Sequence, residues 1–116
     1  TWGADFHPGL NTDAAQLIIR KGTRPELDSY SAFKENDRTT STGLDGFLRS
    51  KGITRLFMVG IATDFCVAWS SLDAVEHGFE TILFRNLTKE IDLDGSLVNQ
   101  ISEMEKVGVW IENYEA

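Results

Sequence analysis

Residues 55–78 read RLFMVGIATDFCVAWSSLDAVEHG, and this stretch decides the fold class. Its first seven residues, 55–61, form an apolar run typical of a strand buried on both faces of a parallel sheet. From about Asp64, apolar residues recur at helical spacing until Gly78, which predicts a helix. A strand, a sharp turn of small residues and a helix place Cys66 at a helix N-terminus. At such a position the unpaired N–H groups and the helix dipole favour a thiolate over a thiol.

The remaining chain continues the alternation of strands and helices. We expect four strands and three helices, at residues 16–21, 43–51, 55–61, 64–78, 80–85, 94–106 and 109–111. Ser41 or Thr42 is expected to cap the first helix. This order of elements implies right-handed crossovers and an α/β fold, a three-layer α/β/α arrangement with a parallel, Rossmann-like sheet.

The beginning of the chain does not fit the start of such a domain. Residues 1–14 are rich in glycine, proline, asparagine and aspartate and predict a loop. Doubly wound sheets usually begin with a central strand. We therefore expect that the chain lacks the N-terminal strand or strands, and that residues 1–116 are the C-terminal portion of a single domain.

Composition excludes several classes of partner. The net charge of −7 leaves nothing to neutralise phosphates, and lysine and arginine are not clustered, so neither nucleic acid nor a membrane surface is expected. No apolar run approaches the ~20 residues that span a bilayer. The single cysteine suits a reducing compartment, and we expect a cytoplasmic protein. His7 and His77 are too far apart in sequence to suggest a metal site.

Three segments together closely resemble the nicotinamidase (pyrazinamidase) branch of the isochorismatase-like cysteine hydrolases. They are TWGADFHP at residues 1–8, KGTRPELDSYSAF at 21–33 and GIATDFC at 60–66. The second segment is the more branch-specific signal, whereas the third marks the wider group of cysteine amidases. The resemblance extends over the whole chain.

The resemblance implies a role for five residues. Cys66 matches the nucleophile and Lys21 the lysine of the catalytic triad. The bond between Ile61 and Ala62 matches a cis peptide that turns the backbone N–H groups of Ala62 and Cys66 toward the substrate as an oxyanion hole. Tyr30 matches an aromatic residue that lines the pyridine pocket, and Ile61 is expected to bind substrate beside it.

The implied reaction is hydrolysis of nicotinamide, or of pyrazinamide, to the acid and ammonia through a thioester on Cys66. A carboxamide is a poor electrophile, so a covalent route needs an activated nucleophile and a stabilised oxyanion. The resemblance also implies a role in NAD recycling, a homo-oligomer and a divalent metal, which would be zinc, manganese or iron. The triad aspartate and the metal ligands are expected in the missing N-terminal half of the domain, so no metal ligand is assigned in this chain.

Other acidic and basic residues are weaker candidates. Asp5, Asp28 and Asp64 are possible bases by composition only, and Asp64 is the expected cap of the helix that follows it. His7 does not match a ligand position.

Three alternatives to a nicotinamidase stay open. They are a non-catalytic truncated or split fragment of such an enzyme, a related cysteine amidase that acts on another small amide, and a redox sensor that uses Cys66. The sensor lacks a resolving cysteine.

Overall fold

The computed structural model describes residues 6–21, 30–34 and 36–116. Asp5 and Asp28 lie outside the described residues. The described elements are α1 (Leu44–Ser50), β1 (Arg55–Ile61), a π-helical turn (Thr63–Val67), α2 (Ala68–Glu76), β2 (Glu80–Lys89), α3 (Ser96–Val107) and β3 (Trp110–Glu112). None of the described helices is long and apolar enough to cross a membrane.

The strands form a three-stranded parallel sheet in the order β1-β2-β3, with β2 in the centre. The α/β fold with a parallel sheet is thereby confirmed. Leu83 lies opposite Met58, but Thr88 lies opposite Gly60, so β2 carries three more residues than β1 over this interval. Gly60 has a φ of +115°, which disfavours any residue with a Cβ. The register shifts between Met58 and Gly60, and the pairing then resumes with Ile61 opposite Lys89, just before the turn that leads to Cys66.

The predicted strand at residues 16–21 is wrong for the part of the chain that the structure describes. The segment is irregular there, and Leu17 and Ile18 are exposed. A strand needs a neighbour for its N–H and C=O groups, and the described sheet offers this segment none. The predicted cap of α1 is also wrong, because the N-cap residue is Gly43, which has no side chain. The hydroxyls of Ser41 and Thr42 still accept the N–H groups of Gly43 and Leu44, at 3.0 and 3.4 Å.

The described helices pack against one face of the sheet. One core cluster joins α2 and α3 to β2, with Ala68, Leu83 and Met104 fully buried, and Met58 of β1 packs against it. A second cluster joins α1 to α2 and includes Leu56 of β1 among its partly buried members. Leu56 and Met58 point to the same side because side chains alternate along a strand.

The opposite face of the sheet is apolar and uncovered by the described residues. Phe57, Val59 and Ile61 of β1 are each more than half exposed. The rings of Phe57 and Phe84 stack there, with centroids 5.2 Å apart. The expectation that β1 is buried on both faces is therefore wrong within the described part of the chain, and the third layer of the predicted fold is not among the described residues.

Candidate active site

Cys66 and Lys21 meet at the end of β1, although 45 residues separate them in sequence. The Nζ of Lys21 lies 3.3 Å from the Sγ of Cys66. Both residues are half-buried, so the ammonium and the sulfur share a partly desolvated space. Such a space strengthens the attraction between an ammonium and a thiolate relative to bulk water. The carboxyl end of a parallel strand is also where ligands bind in open α/β sheets.

The backbone before Cys66 turns sharply. The Ile61–Ala62 peptide bond is cis, as the resemblance implies. The N–H groups of Phe65 and Val67 both donate to the carbonyl of Ala62, at 3.1 and 3.0 Å. One wide helical turn therefore carries Cys66 from the end of β1 into α2.

A pocket of about 550 Å³ opens beside the sulfur of Cys66. Four of the five predicted residues line it, namely Tyr30, Ile61, Ala62 and Cys66. Phe65 and residues 89–91 and 93 complete the lining. The Tyr30 ring lies 5.6 Å from that of Phe65 and 5.5 Å from that of Trp69, measured between centroids. The pocket is thus an aromatic and aliphatic space with a thiol in its wall, which suits a flat ring that bears a reactive group.

A second cavity, of about 520 Å³, lies between α1 and the segment that leads to Lys21. Its lining includes Lys21 but neither Cys66 nor another thiol. Of these two cavities, the pocket beside Cys66 is the one with a thiol in its wall, so it is the candidate site for covalent chemistry.

The loop that carries Tyr30 is anchored to α2 by polar contacts. The hydroxyl of Ser70 accepts the N–H of Ala32 at 2.8 Å. Asp73, which is 1% exposed, accepts the hydroxyl of Ser31 and pairs with the guanidinium of Arg38. Sequence reasoning missed this anchor, although the polar pair Ser70 and Asp73, three residues apart on an otherwise apolar helix face, is a signal that could have found it.

Asp64 does not cap the helix, which corrects the expectation from the sequence. Its carboxylate reaches across to the segment between β2 and α3. The N–H of Ile91 donates to Oδ1 at 3.0 Å, and the N–H of Asp92 donates to Oδ2 at 2.7 Å. The hydroxyl of Ser96 donates to Oδ2 at 2.6 Å. Asp64 is a buried acceptor for three donors, and this arrangement does not suit a general base.

These hydrogen bonds set the protonation state of Asp64. Burial raises the pKa of its carboxyl, but the bonds from Ser96, Ile91 and Asp92 outweigh burial and hold the pKa below its usual value. A lowered folded-state pKa means that ionised Asp64 stabilises the fold above the unfolded value of ~3.9. That contribution is lost as the pH falls through the folded-state pKa.

The isochorismatase domain family matches residues 1–116. The chain belongs to this family. A nicotinamidase of Acinetobacter baylyi is 50% identical to this isochorismatase domain over 109 residues, which cover 94% of the chain and 51% of that protein. The structure of a nicotinamidase/pyrazinamidase from Acinetobacter baumanii superimposes with a TM-score of 0.94 at 53% identity, over 97% of this chain and 55% of the other.

A second solved structure carries a ligand. It is a protein from L. infantum in complex with nicotinate, with a TM-score of 0.92 and 40% identity over 97% of this chain and 56% of the other. This isochorismatase domain therefore spans about half the length of the relatives that it matches.

The described residues offer no group of side chains suited to a metal ion. A pyrazinamidase from Pyrococcus horikoshii, solved in complex with zinc, superimposes with a TM-score of 0.80 at 35% identity, over 98% of this chain and 59% of the other. In residues 6–21, 30–34 and 36–116, no three His, Cys, Asp or Glu side chains are grouped to hold a metal ion. The described part of this isochorismatase domain does not fit a zinc site, so we assign no chemical step to a metal.

Proposed function

We propose that this chain supplies the nucleophile, the adjacent ammonium and the substrate pocket of an enzyme that hydrolyses nicotinamide to nicotinate and ammonia. The observation that carries the proposal is the 3.3 Å contact between Lys21 and Cys66 at the pocket. The similarity to nicotinamidases and to a structure with bound nicotinate supports the choice of substrate. The aromatic wall around Tyr30 suits a pyridine ring.

The proposed reaction has two halves. In the first, the Cys66 thiolate attacks the carboxamide carbon, and the carbonyl oxygen becomes an oxyanion. The amide nitrogen takes a proton, which the Lys21 ammonium is placed to supply, and leaves as ammonia while a thioester forms. In the second half, water adds to the thioester and returns a proton to Lys21. The carbon–sulfur bond then breaks, which regenerates the thiolate and releases nicotinic acid, and the acid becomes nicotinate by giving its proton to solvent.

We assign the oxyanion hole to the backbone N–H groups of Ala62 and Cys66. Both residues line the pocket, and Ala62 follows the cis bond at the turn. One preorganised donor of this kind lowers the barrier by about 3–4 kcal/mol. Tyr30 and Ile61 are assigned to the substrate ring, because they line the same pocket.

Replacement of Lys21 by glutamine is expected to slow the reaction of Cys66 with iodoacetamide at neutral pH. The attraction between two unit charges at about this distance is about 1 kcal/mol in bulk water and about 4 kcal/mol near a protein surface. Loss of the Lys21 charge should therefore lower the alkylation rate about tenfold or more. Lys21→Arg keeps the charge and is the matched control. An unchanged alkylation rate in Lys21→Gln would contradict the assignment of Lys21 as the group that stabilises the thiolate.

Replacement of Tyr30 by alanine is expected to raise KM for nicotinamide about tenfold, because the ring contact of an aromatic side chain is worth about 0.5–1.5 kcal/mol beyond the area that it buries. Tyr30→Phe keeps the ring and should stay close to the parent. Steady-state ammonia release over a range of nicotinamide concentrations measures both variants. A KM that is the same in Tyr30→Ala and Tyr30→Phe would remove Tyr30 from the pocket assignment.

Further parts of the enzyme are proposed to lie outside these 116 residues. The apolar face formed by Phe57, Val59 and Ile61 is an area that the remainder of a domain would cover. Relatives about twice as long as this chain make an N-terminal half of the same domain the proposed occupant. We place the triad aspartate and any divalent metal ligands in that half. We also propose that the protein is a homo-oligomer in the cytoplasm.

The test is ammonia release from nicotinamide by the intact protein, combined with rapid acid quenching and mass spectrometry. A nicotinoyl adduct on Cys66 that forms and decays during turnover would support the thioester route. Adduct formation with a different small amide, and none with nicotinamide, would favour the related amidase. Absence of both release and adduct would favour a non-catalytic fragment.

A further inference from the structure

We propose that Asp64 is a positioning residue that ties the wall formed by residues 89–93 to the turn that carries Cys66, and thereby fixes the width of the pocket. This inference rests on the proposed function, because it concerns the pocket assigned to the substrate. It adds that Asp64, through the width of the pocket, determines which acyl groups reach the Cys66 sulfur.

The tie is direct. Asp64 precedes Cys66 by two residues, and its carboxylate accepts hydrogen bonds from the N–H groups of Ile91 and Asp92. The residues around these two amides line the pocket, namely Lys89, Glu90, Ile91 and Leu93. The buried carboxylate therefore joins the middle of the wall, at residues 91 and 92, to the turn that carries Cys66.

The wall needs such a tie because its backbone is unfavourable by itself. Asp92 and Asp94 have φ values of +57° and +50°, a region that residues with a Cβ adopt infrequently. Just beyond the wall, the Ser96 hydroxyl accepts the N–H of Leu93 at 2.8 Å. Ser96 in turn donates to Asp64, so the Leu93 amide is connected through Ser96 to the same carboxylate.

At its start the wall is held by the sheet, because Lys89 lies opposite Ile61 of β1. The side-chain contacts of the next residue lead elsewhere. Glu90 pairs with Arg85, which lies on the same strand β2 as the start of the wall. That ion pair orders the end of β2 but does not reach the Cys66 turn. The side chains of Ile91 and Leu93 are more than half exposed, so little packing holds them over the pocket. Beyond the sheet pairing of Lys89 with Ile61, Asp64 is thus the described side chain that links residues 91 and 92 to the turn that carries Cys66.

The nucleophile turn has its own support. The carbonyl of Ala62 accepts the N–H groups of Phe65 and Val67 without the help of Asp64. Loss of Asp64 should therefore loosen the wall more than it moves Cys66. This separation predicts an effect on substrate fit that is larger than the effect on the chemical step.

The experiment compares two thiol reagents of different size on the single cysteine of the chain. Iodoacetamide is small, whereas pyrene maleimide must pass the wall. In Asp64→Ala, the ratio of the pyrene maleimide rate to the iodoacetamide rate is expected to rise about tenfold, since three hydrogen bonds to a charged group are lost. In the same variant, KM for nicotinamide should rise about tenfold while kcat stays within about threefold.

Asp37 provides the matched control. Its carboxylate accepts the N–H groups of Thr39 and Thr40 and the hydroxyl of Thr40, and these bonds, chiefly those of Thr40, lower the pKa of Asp37 to about 2. Like Asp64 it accepts three hydrogen bonds, but it is exposed and does not line the pocket. Asp37→Ala should therefore leave the reagent ratio within about twofold of the parent.

Ser96→Ala keeps the inference testable if Asp64→Ala does not fold. It removes one donor to Asp64 and should raise the reagent ratio about threefold. A folded Asp64→Ala variant with an unchanged ratio would overturn the inference, as would an unchanged ratio in Ser96→Ala when Asp64→Ala is unfolded. If the parent protein releases no ammonia from nicotinamide, the proposed function fails, but the reagent ratio still decides the role of Asp64.

Discussion

Replacement of Cys66 by alanine is expected to lower ammonia release from nicotinamide by about 10⁴-fold or more, the size of effect seen when a covalent nucleophile is removed. The physical reason is that the carboxamide carbon then has no group to form an acyl intermediate with, and water alone attacks amides slowly. The chain contains no second cysteine that could take over the role. Initial rates of ammonia release at saturating nicotinamide measure the effect.

Cys66→Ser is the matched control for volume. It keeps a side chain of similar size but replaces the thiol with a hydroxyl, which Lys21 cannot ionise as readily. Both variants should be inactive while their thermal unfolding stays close to that of the parent. If Cys66→Ala retains more than about a tenth of the parent kcat, a route without a thioester operates and the proposed mechanism is wrong.

Replacement of Arg38 by alanine is expected to reduce the free energy of unfolding by about 3 kcal/mol. Asp73 is 1% exposed, and the loss of Arg38 leaves its buried carboxylate with the Ser31 hydroxyl but without a cation. The change also removes the contact between the guanidinium and the Trp69 ring, 5.2 Å from its centroid. Urea unfolding monitored by circular dichroism measures the loss.

The order of effects at this pair is itself diagnostic. The Arg38 side chain is 38% exposed and can turn to water when its partner is neutral. Asp73→Asn should therefore cost only about 1–2 kcal/mol, less than Arg38→Ala. A larger loss of unfolding free energy in Asp73→Asn than in Arg38→Ala would contradict this explanation. It would show that the buried Asp73 carboxylate does not depend on the Arg38 guanidinium.

Lys34 offers a comparison on the same loop and the same helix. It pairs with Glu76 of α2 at 3.1 Å, but the Glu76 side chain is 63% exposed. Lys34→Ala should cost less than about 1 kcal/mol because water screens this pair. A loss equal to that of Arg38→Ala would show that any cation removed from this loop has the same effect.

The turn that carries Cys66 was predicted well from the sequence, because the patterns that define it lie within a few neighbouring residues. An apolar run, Gly60 and a helical period define β1 and the start of the helix within a few residues, and the strand bounds 55–61 are confirmed. The helices near 43–51 and 94–106 are likewise confirmed to within one or two residues. The roles of Cys66, Lys21, Ala62, Tyr30 and Ile61 came from resemblance to a family and stay predictions.

Local patterns in the sequence did not predict contacts between distant segments, apart from those that the family resemblance implied. The strand predicted at residues 16–21 depended on a neighbour that the described sheet does not provide. Asp64 was expected to cap the helix next to it. Its carboxylate oxygens instead accept hydrogen bonds from residues 27 to 32 positions further along the chain. Local patterns favour the nearest partner, and only packing shows that a more distant one is closer in space.

By itself, the sequence determined an acidic α/β domain of the isochorismatase type, with a thiol where a strand passes into a helix. The resemblance pointed to Lys21, but the tertiary structure alone gave the 3.3 Å contact between its Nζ and the Cys66 sulfur, and the hydrogen bonds from Ile91 and Asp92 to Asp64. It also decided that one face of β1 is uncovered by the described residues. The reason is physical: strand and helix periods follow from neighbouring residues, whereas a pocket forms from segments that only the folded sheet brings together.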